Sequence, residues 1–381
     1  MPAPLRDVAI YAPEANLLYE RGPEQPLGGA EFQTSMLMKG LAGKGLRVAH
    51  IVFPVAELSP PAGERMSVVQ REPQQGRLGV VPRAAEARAV WRAMAEADAR
   101  IYVFRAGSAA LGVTALFCRA HRRKLVFATA SDLDLTFEPL LDNRPNLELY
   151  RLGIRLADAV VVQTDEQAAL ARDRLQRLRR LSTIRSFAEP ARPTPHDPEA
   201  FVWIGRTVPY KRPLEYLDLA EALPEARFRM IARDTGQTPP ELADEVRRRA
   251  GALPNVELLP VSPRETTLAL LDRAVASVST SRVEGMPNVF LEAWARGVPV
   301  LTLDSDPDGR VRTRGLGVAA GGSWEAFVDG ARELWRSRGH REELSHRTRT
   351  YVEAVHAPPA VTEDWFTLLA EVGPARRPPV R

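Results

Sequence analysis

The chain has 381 residues, of which 45% are hydrophobic and 26% charged, with a formal net charge of +4. That is the composition of an ordinary globular protein and a length that calls for two domains. A single cysteine, Cys118, excludes a disulfide framework, and no window approaches the ~18 unbroken apolar residues of a membrane span. The first residues lack the charged-then-apolar pattern of a secretory signal, so a reducing, cytoplasmic setting is expected. A sequence pI near 9.4 is compatible with an anionic substrate or an anionic membrane surface.

In chain order, a strand over 7–11 is followed by a Pro- and Gly-rich loop that ends in Leu27-Gly28-Gly29-Ala30-Glu31, at the start of a helix over 30–42. Strands are predicted at 46–53, 66–70, 100–104, 124–129 and 159–163, and helices at 83–97, 108–120, 146–157 and 166–179. This alternation predicts a parallel sheet covered on both faces. The segment 186–200 is rich in proline and has no apolar period, so it reads as a linker. The expected division is a first domain over 1–190, a linker over 191–200 and a second domain over 201–357. A last helix within 358–373 and a tail over 374–381 complete it. The second half repeats the alternation, with strands at 201–204, 227–232, 256–259, 274–279 and 299–303 and helices at 214–222, 240–250, 263–274 and 288–296. Helices at 324–336, 342–355 and 362–372 end it.

Two stretches of the second half carry chemistry. The first runs Phe201-Val-Trp-Ile-Gly-Arg-Thr-Val-Pro-Tyr-Lys-Arg-Pro213, where a strand ends in Gly205-Arg206 and Lys211 follows five residues later. Cations at the carboxyl end of a strand sit where a doubly wound fold binds an anionic ligand, although singly each would read as a solvated surface charge. The second, Ser281 to Thr302, places Glu284 and Glu292 eight positions apart on either side of a helix start, with Gly285, Met286 and Pro287 in the turn and Asn288, Val289 and Phe290 opening the helix. A helix N-terminus offers backbone N–H groups and the positive end of a dipole to a phosphate. Two carboxylates beside it suit the hydroxyls of a sugar nucleotide. Taken without the first stretch, the helix reads equally as an ordinary β-α-β unit with a capping acid.

Together the two stretches resemble the retaining glycosyltransferases of family 4, in the group 1 glycosyl transferases. That family carries G-R-x-x-x-x-K followed about eighty residues later by E-G-x-P-x-x-x-L-E-A-x-A-x-G-x-P-V. The second pattern is matched at Glu284, Gly285, Pro287, Leu291, Glu292, Ala293, Ala295, Gly297, Pro299 and Val300. The resemblance implies the α/β GT-B fold: two Rossmann-like, doubly wound parallel-sheet domains facing a central cleft, with the last helix crossing back to the first domain. It implies transfer of a sugar from a nucleoside-diphosphate donor to an acceptor hydroxyl with retained configuration, in polysaccharide, glycolipid or natural-product glycoside synthesis. Arg206, Lys211 and Glu284 would be catalytic. Gly28, Gly29, Gly205, Gly285, Met286, Pro287, Asn288, Val289, Phe290 and Glu292 would complete the donor site, with Glu292 on the ribose and Glu284 on the donor sugar. No metal or other cofactor is expected.

The sequence departs from the family in the loop after 124–129, where many members carry a histidine. Ser131 and Asp132 stand there as candidate sugar or acceptor contacts. Asp132 and Asp134 spell D-x-D, as do Asp304, Asp306 and Asp308, but neither reads as a metal site beside the GT-B pattern. The segment from Arg172 to Arg185 combines spaced leucines with Arg172, Arg174, Arg177, Arg179 and Arg180, and a basic amphipathic helix there offers peripheral contact with an anionic membrane, against the plainer reading of a solvated helix. Aromatic residues do not interleave with these arginines, so nucleic acid is not an expected partner. The rivals to a transferase are a non-catalytic sugar-nucleotide-binding protein and another GT-B enzyme such as a sugar-nucleotide epimerase or a phosphorylase.

Overall fold

The computed structural model describes residues 6–20, 28–59, 61, 63–71, 80–137, 143–175, 177–191 and 197–373. The chain forms two compact units, and the change from one to the other falls between Ser186 and Phe187. Phe187 and Ala188 are buried, and the Ala188 N–H donates to the His356 carbonyl at 3.0 Å, within the second unit. The tail expected over 374–381 lies outside the described residues, as do residues 192–196 of the expected linker.

The first unit is built from β1 (Arg6–Tyr11), α1 (Gly29–Gly43), β2 (Val48–Val52), β3 (Met66–Gln70), α2 (Val80–Ala97), β4 (Ala99–Arg105) and α3 (Ala110–Ala120). It continues through β5 (Lys124–Ala128), α4 (Leu133–Thr136), α5 (Arg144–Leu156), β6 (Ala159–Val162), α6 (Asp165–Arg174) and β7 (Leu181–Thr183). The sheet order is β3-β2-β1-β4-β5-β6-β7, with parallel pairing throughout. All four residues of β6 are buried, which is why it reads as an unbroken apolar run, and all five of β2 are buried, with His50 its one polar residue. The starts of α5 and α6 are set by Asn143, which accepts the Asn146 N–H, and Thr164, which accepts the Gln167 N–H at 3.0 Å. Each such cap contributes about 1 kcal/mol.

The second unit contains β8 (Ala200–Arg206), α7 (Pro213–Ala222), β9 (Phe228–Arg233), α8 (Pro240–Ala252), β10 (Val256–Leu258), α9 (Arg264–Asp272) and β11 (Ala274–Ser279). Then follow α10 (Asn288–Ala295), β12 (Val300–Thr302), α11 (Arg310–Thr313), β13 (Gly317–Ala319), α12 (Trp324–Arg336) and α13 (Glu342–Val355). Its parallel sheet has the order β10-β9-β8-β11-β12-β13. Strand alternation divides β8 between two cores: Phe201 and Trp203 pack with Tyr216, Phe228 and Phe327, and Val202 with Phe290 and Trp294. Full burial of a Phe of this kind contributes about 1.5–3 kcal/mol.

The last helix, α14 (Pro358–Val372), belongs to the first unit. It packs against α1 so closely that a Cβ on Gly40 would stand 2.3 Å from the Thr362 hydroxyl, so only glycine fits there. Trp365, Leu368 and Leu369 are its buried face, and Lys44 and Arg180 pair with its Glu363 and Glu371.

One expectation is overturned. The helix predicted over 166–179 ends at Arg174, so no basic amphipathic helix spans Arg172 to Arg185. Leu175 is already extended, Arg177 is left-handed (φ 61°), and Leu181–Thr183 pairs with β6 as an edge strand. Leu175 and, partly, Leu178 and Leu181 pack into the first core, so burial and strand pairing override the helical spacing of the leucines. The arginines are held by local acids, Arg179 by Asp158 at 3.3 Å and Arg185 by Asp165 at 2.7 Å. The reason given for membrane contact goes with the helix. Among the described residues no helix is long and apolar enough to cross a membrane.

Candidate functional site

In each sheet the strand order reverses direction once, between β8 and β11 in the second unit and between β1 and β4 in the first. Loops that leave the carboxyl ends of the strands at such a point diverge and leave a crevice, the usual ligand position in open α/β sheets. In the second unit these loops are the 206–213 segment after β8 and the 280–287 segment after β11.

The two loops are latched together. The Thr280 hydroxyl donates to the Lys211 carbonyl at 2.7 Å and accepts from the Trp203 indole N–H at 3.1 Å. The Arg282 N–H donates to the Tyr210 carbonyl at 2.9 Å. Arg212 takes a left-handed conformation (φ 47°) just before α7, and its Nε donates to the Thr280 carbonyl at 2.7 Å. The same guanidinium pairs with Asp304, from the loop after β12, so three successive loops share one arginine. Gly205 is required by its neighbour, because a Cβ there would lie 2.8 Å from the Trp203 ring.

On this frame Lys211 and Glu284 form an ion pair, with side chains 20% and 12% exposed. Arg206 lies at the exposed end of β8 and donates to the Tyr210 hydroxyl and to Gln237 Oε1. The Tyr210 ring carries both cations, Arg206 at 5.8 Å and Lys211 at 5.7 Å from its centroid. Such contacts contribute about 0.5–1 kcal/mol at exposed sites, enough to restrain the two side chains without immobilising them.

Beyond Glu284 the chain passes through Gly285, Met286 and Pro287, all buried, into α10, whose start no side chain caps. Met286 and Phe290 belong to the hydrophobic core, so neither offers its side chain to a ligand. The Phe290 N–H donates to the Pro287 carbonyl at 3.1 Å. Asn288 and Val289 are half-buried at the first two helical positions. Glu292, a turn further on, pairs with Arg264 from the first turn of α9. Burial pushes the Glu292 carboxyl upward, and Arg264 followed by Arg296 pulls it back without cancelling the effect. Sequence reasoning missed Tyr210, Arg212, Thr280, Asp304 and Arg264. Only Asp304 gave a signal, its D-x-D pattern, and its partner is an arginine.

The remaining expected residues lie in the first unit. Gly28 is the N-cap of α1 and Gly29 its first residue. Leu27 of the same loop is outside the described residues. Asp132 accepts a hydrogen bond from Gln167 Nε2 at 2.9 Å, and the neighbouring Ser131 N–H donates to Asp134 at 3.2 Å. Asp134 also accepts from the Gly107 and Ala130 N–H groups, at 2.9 and 2.6 Å. The two acids of this D-x-D therefore face different partners. Among the described residues no group of three His, Cys, Asp or Glu side chains could hold a metal ion.

Residues 185–351 match the family model described as glycosyl transferases group 1. No curated protein matches the chain in sequence. Among solved structures, the chain is similar to the sucrose-phosphate synthase of Thermosynechococcus elongatus (TM-score 0.76, 16% identity, 96% of this chain and 98% of that one). It is similar to Anabaena Alr3699/HepE, solved in complex with UDP and glucose (TM-score 0.70, 14% identity, 96% and 100%). A third neighbour is the E. coli structure described as trehalose-6-phosphate bound with UDP-2-fluoro glucose (TM-score 0.69, 12% identity, 97% and 100%). At these identities the likeness shows the fold, two Rossmann-like domains of the GT-B type. The family match lies almost wholly within the second unit.

Proposed function

We propose that the protein is a retaining, metal-independent glycosyltransferase of family 4 that moves a sugar from a nucleoside-diphosphate donor to an acceptor hydroxyl. The observation that carries this reading is the Lys211–Glu284 pair, held by interlocked loops at the carboxyl ends of β8 and β11 beside the uncapped start of α10. That the HepE and E. coli neighbours are solved with UDP or a UDP-sugar analogue supports a nucleotide sugar as donor.

As the glycosidic bond breaks, negative charge gathers on the leaving diphosphate. Fixed groups aimed at that charge are the largest single source of rate enhancement in such sites. Lys211 and Arg206 supply two positive charges, and the first amides of α10, at Asn288 and Val289, supply dipoles. Gly28 and Gly29, at the start of α1 in the first unit, have no Cβ to keep a group away from their backbone. Glu284 accepts hydroxyls of the donor sugar and Glu292 those of the ribose. Release of Lys211 from Glu284 toward the diphosphate frees the carboxylate for the sugar, so one ion pair is exchanged for contacts with two parts of the same donor.

Calorimetric titration with UDP, GDP, ADP and dTDP, with and without magnesium, tests the donor half of this reading. Binding of one nucleotide at equal strength in both conditions is expected, and binding of none overturns it. Proton NMR of the product's anomeric centre tests the rest, with an inverted product as the contrary result. One observation favours a non-catalytic sugar-nucleotide-binding protein: in place of the family's histidine stand Ser131 and an Asp132 already bonded to Gln167. Nucleotide binding without transfer or hydrolysis of any matching donor would decide for it.

A further inference from the structure

One charged group of the first unit has no part in the reading above. Arg105 closes β4 at the reversal point between β1 and β4, where loops diverge as they do around Lys211. It is half-buried, and its Nε is enclosed without a hydrogen-bond partner. Two carboxylates lie near enough for their charge to reach it, Asp134 and Glu31, and neither is hydrogen-bonded to it among the described residues. Asp134 accepts the three N–H groups of Gly107, Ala130 and Ser131. Glu31, the third residue of α1, folds back over the helix start so far that a Cβ on Gly28 would lie 2.2 Å from its Oε2.

The Nε–H is therefore enclosed with no bonded partner, and burial lowers the pKa of the group to about 10. An arginine in that condition is costly unless an anion completes it. The next residue, Ala106, is left-handed (φ 66°), a conformation unfavourable for alanine that turns the chain away directly after the arginine. A planar fork of N–H donors matches a phosphate or carboxylate better than it matches a neutral hydroxyl.

We propose that Arg105 anchors an oxyanion subsite in the first unit, which takes a phosphate or carboxylate carried by the sugar acceptor. The word acceptor rests on the glycosyltransferase reading; the oxyanion subsite does not. Calorimetry on the full chain with glucose 6-phosphate, glucuronate and glucose, each with and without a saturating nucleoside diphosphate, tests it. At least one of the two charged sugars is expected to bind at least tenfold more tightly than glucose, with the nucleotide present. Arg105→Gln is expected to lose that tenfold while nucleotide affinity changes less than twofold. Equal affinity for the three sugars overturns the subsite. Competition between charged sugar and nucleotide, with nucleotide affinity falling in Arg105→Gln, assigns the arginine to the donor diphosphate and overturns the acceptor role. If no nucleotide binds, the glycosyltransferase reading fails, and the sugar titrations alone still decide the subsite. Should Arg105→Gln not fold, Arg105→Lys keeps the charge and loses the fork, and at least a threefold weakening of the charged sugar is expected. Unchanged affinity in that variant counts against recognition by the fork.

Discussion

The two sheets present charge at the same topological place and by opposite means. In the second unit Arg206, Lys211 and Arg212 leave one strand within seven residues, and a short turn fixes their mutual geometry. In the first, Glu31, Arg105 and Asp134 come from the segments after β1, β4 and β5, more than a hundred positions apart from end to end. Cations set by one turn are visible as spacing in a sequence; charges brought together by three loops are visible only once the sheet has ordered them. The first kind gives a motif, and the second gives isolated residues that look like surface charges.

The largest expected effect belongs to the local site. Lys211→Ala should lower turnover by about 100-fold or more, with a smaller loss in donor affinity, since charge on the diphosphate peaks in the transition state. Equal losses in kcat and in affinity would remove Lys211 from catalysis and weaken the contrast between the units. Glu292→Ala should weaken nucleotide binding by roughly ten- to a hundredfold, the worth of hydrogen bonds to a charged group. An unchanged calorimetric Kd for the free diphosphate would return Glu292 to a structural partner of Arg264.

A matched pair of substitutions sharpens the comparison further. Arg212→Gln in the second unit and Asp134→Asn in the first each cut a latch between loops at a reversal point. Arg212→Gln is expected to lower nucleotide affinity several-fold, because the loop it holds carries Lys211. Asp134→Asn leaves amides short of an acceptor and should destabilise by about 1–3 kcal/mol, seen in urea titration, with nucleotide affinity unchanged. A loss of nucleotide affinity in Asp134→Asn would show that the two latches are not equivalent in the way described.

The smallest effect is a pH dependence confined to the first unit. His50 in β2 is buried, accepts or donates through Nδ1 to the Tyr19 hydroxyl at 2.7 Å, and has its pKa lowered by burial to about 3. Its folded value lies below its unfolded value of 6.5, so the unfolded chain binds the extra proton across that window and stability falls as pH drops from 6.5 toward 3. From pH 6.5 to 5.5 the loss is about 1 kcal/mol. His50→Gln should flatten the melting temperature over that interval, and an equal slope in both proteins would remove His50 as its cause.

Much of the architecture was legible before any coordinates. The strands at 66–70 and 274–279 and the helices near 30–42 and 240–250 fell within a few residues of their observed bounds, because buried parallel strands and amphipathic helices impose their own apolar patterns. The helix expected to continue through Arg179 failed for the complementary reason. Leu178 and Leu181 keep a helical spacing, yet the unpaired edge of β6 offered Leu181–Thr183 a backbone partner that no local pattern announces. In the site, Lys211, Glu284 and Glu292 were read from spacing, but not that Lys211 and Glu284 pair with each other or that Arg264 reaches Glu292.

By itself, then, the sequence determined the α/β alternation, the repeat of that alternation in two halves and the local strand-turn-helix segments that carry Lys211 and Glu284. Each depends on neighbours within a few turns of chain. The tertiary structure alone decided which charges are compensated and which are not. Asp304 meets Arg212 and Asp134 meets three amides, while Arg105 meets no bonded partner among the described residues. Compensation depends on distance and burial between loops remote in sequence, and those are fixed only when the strands take their order in the sheet.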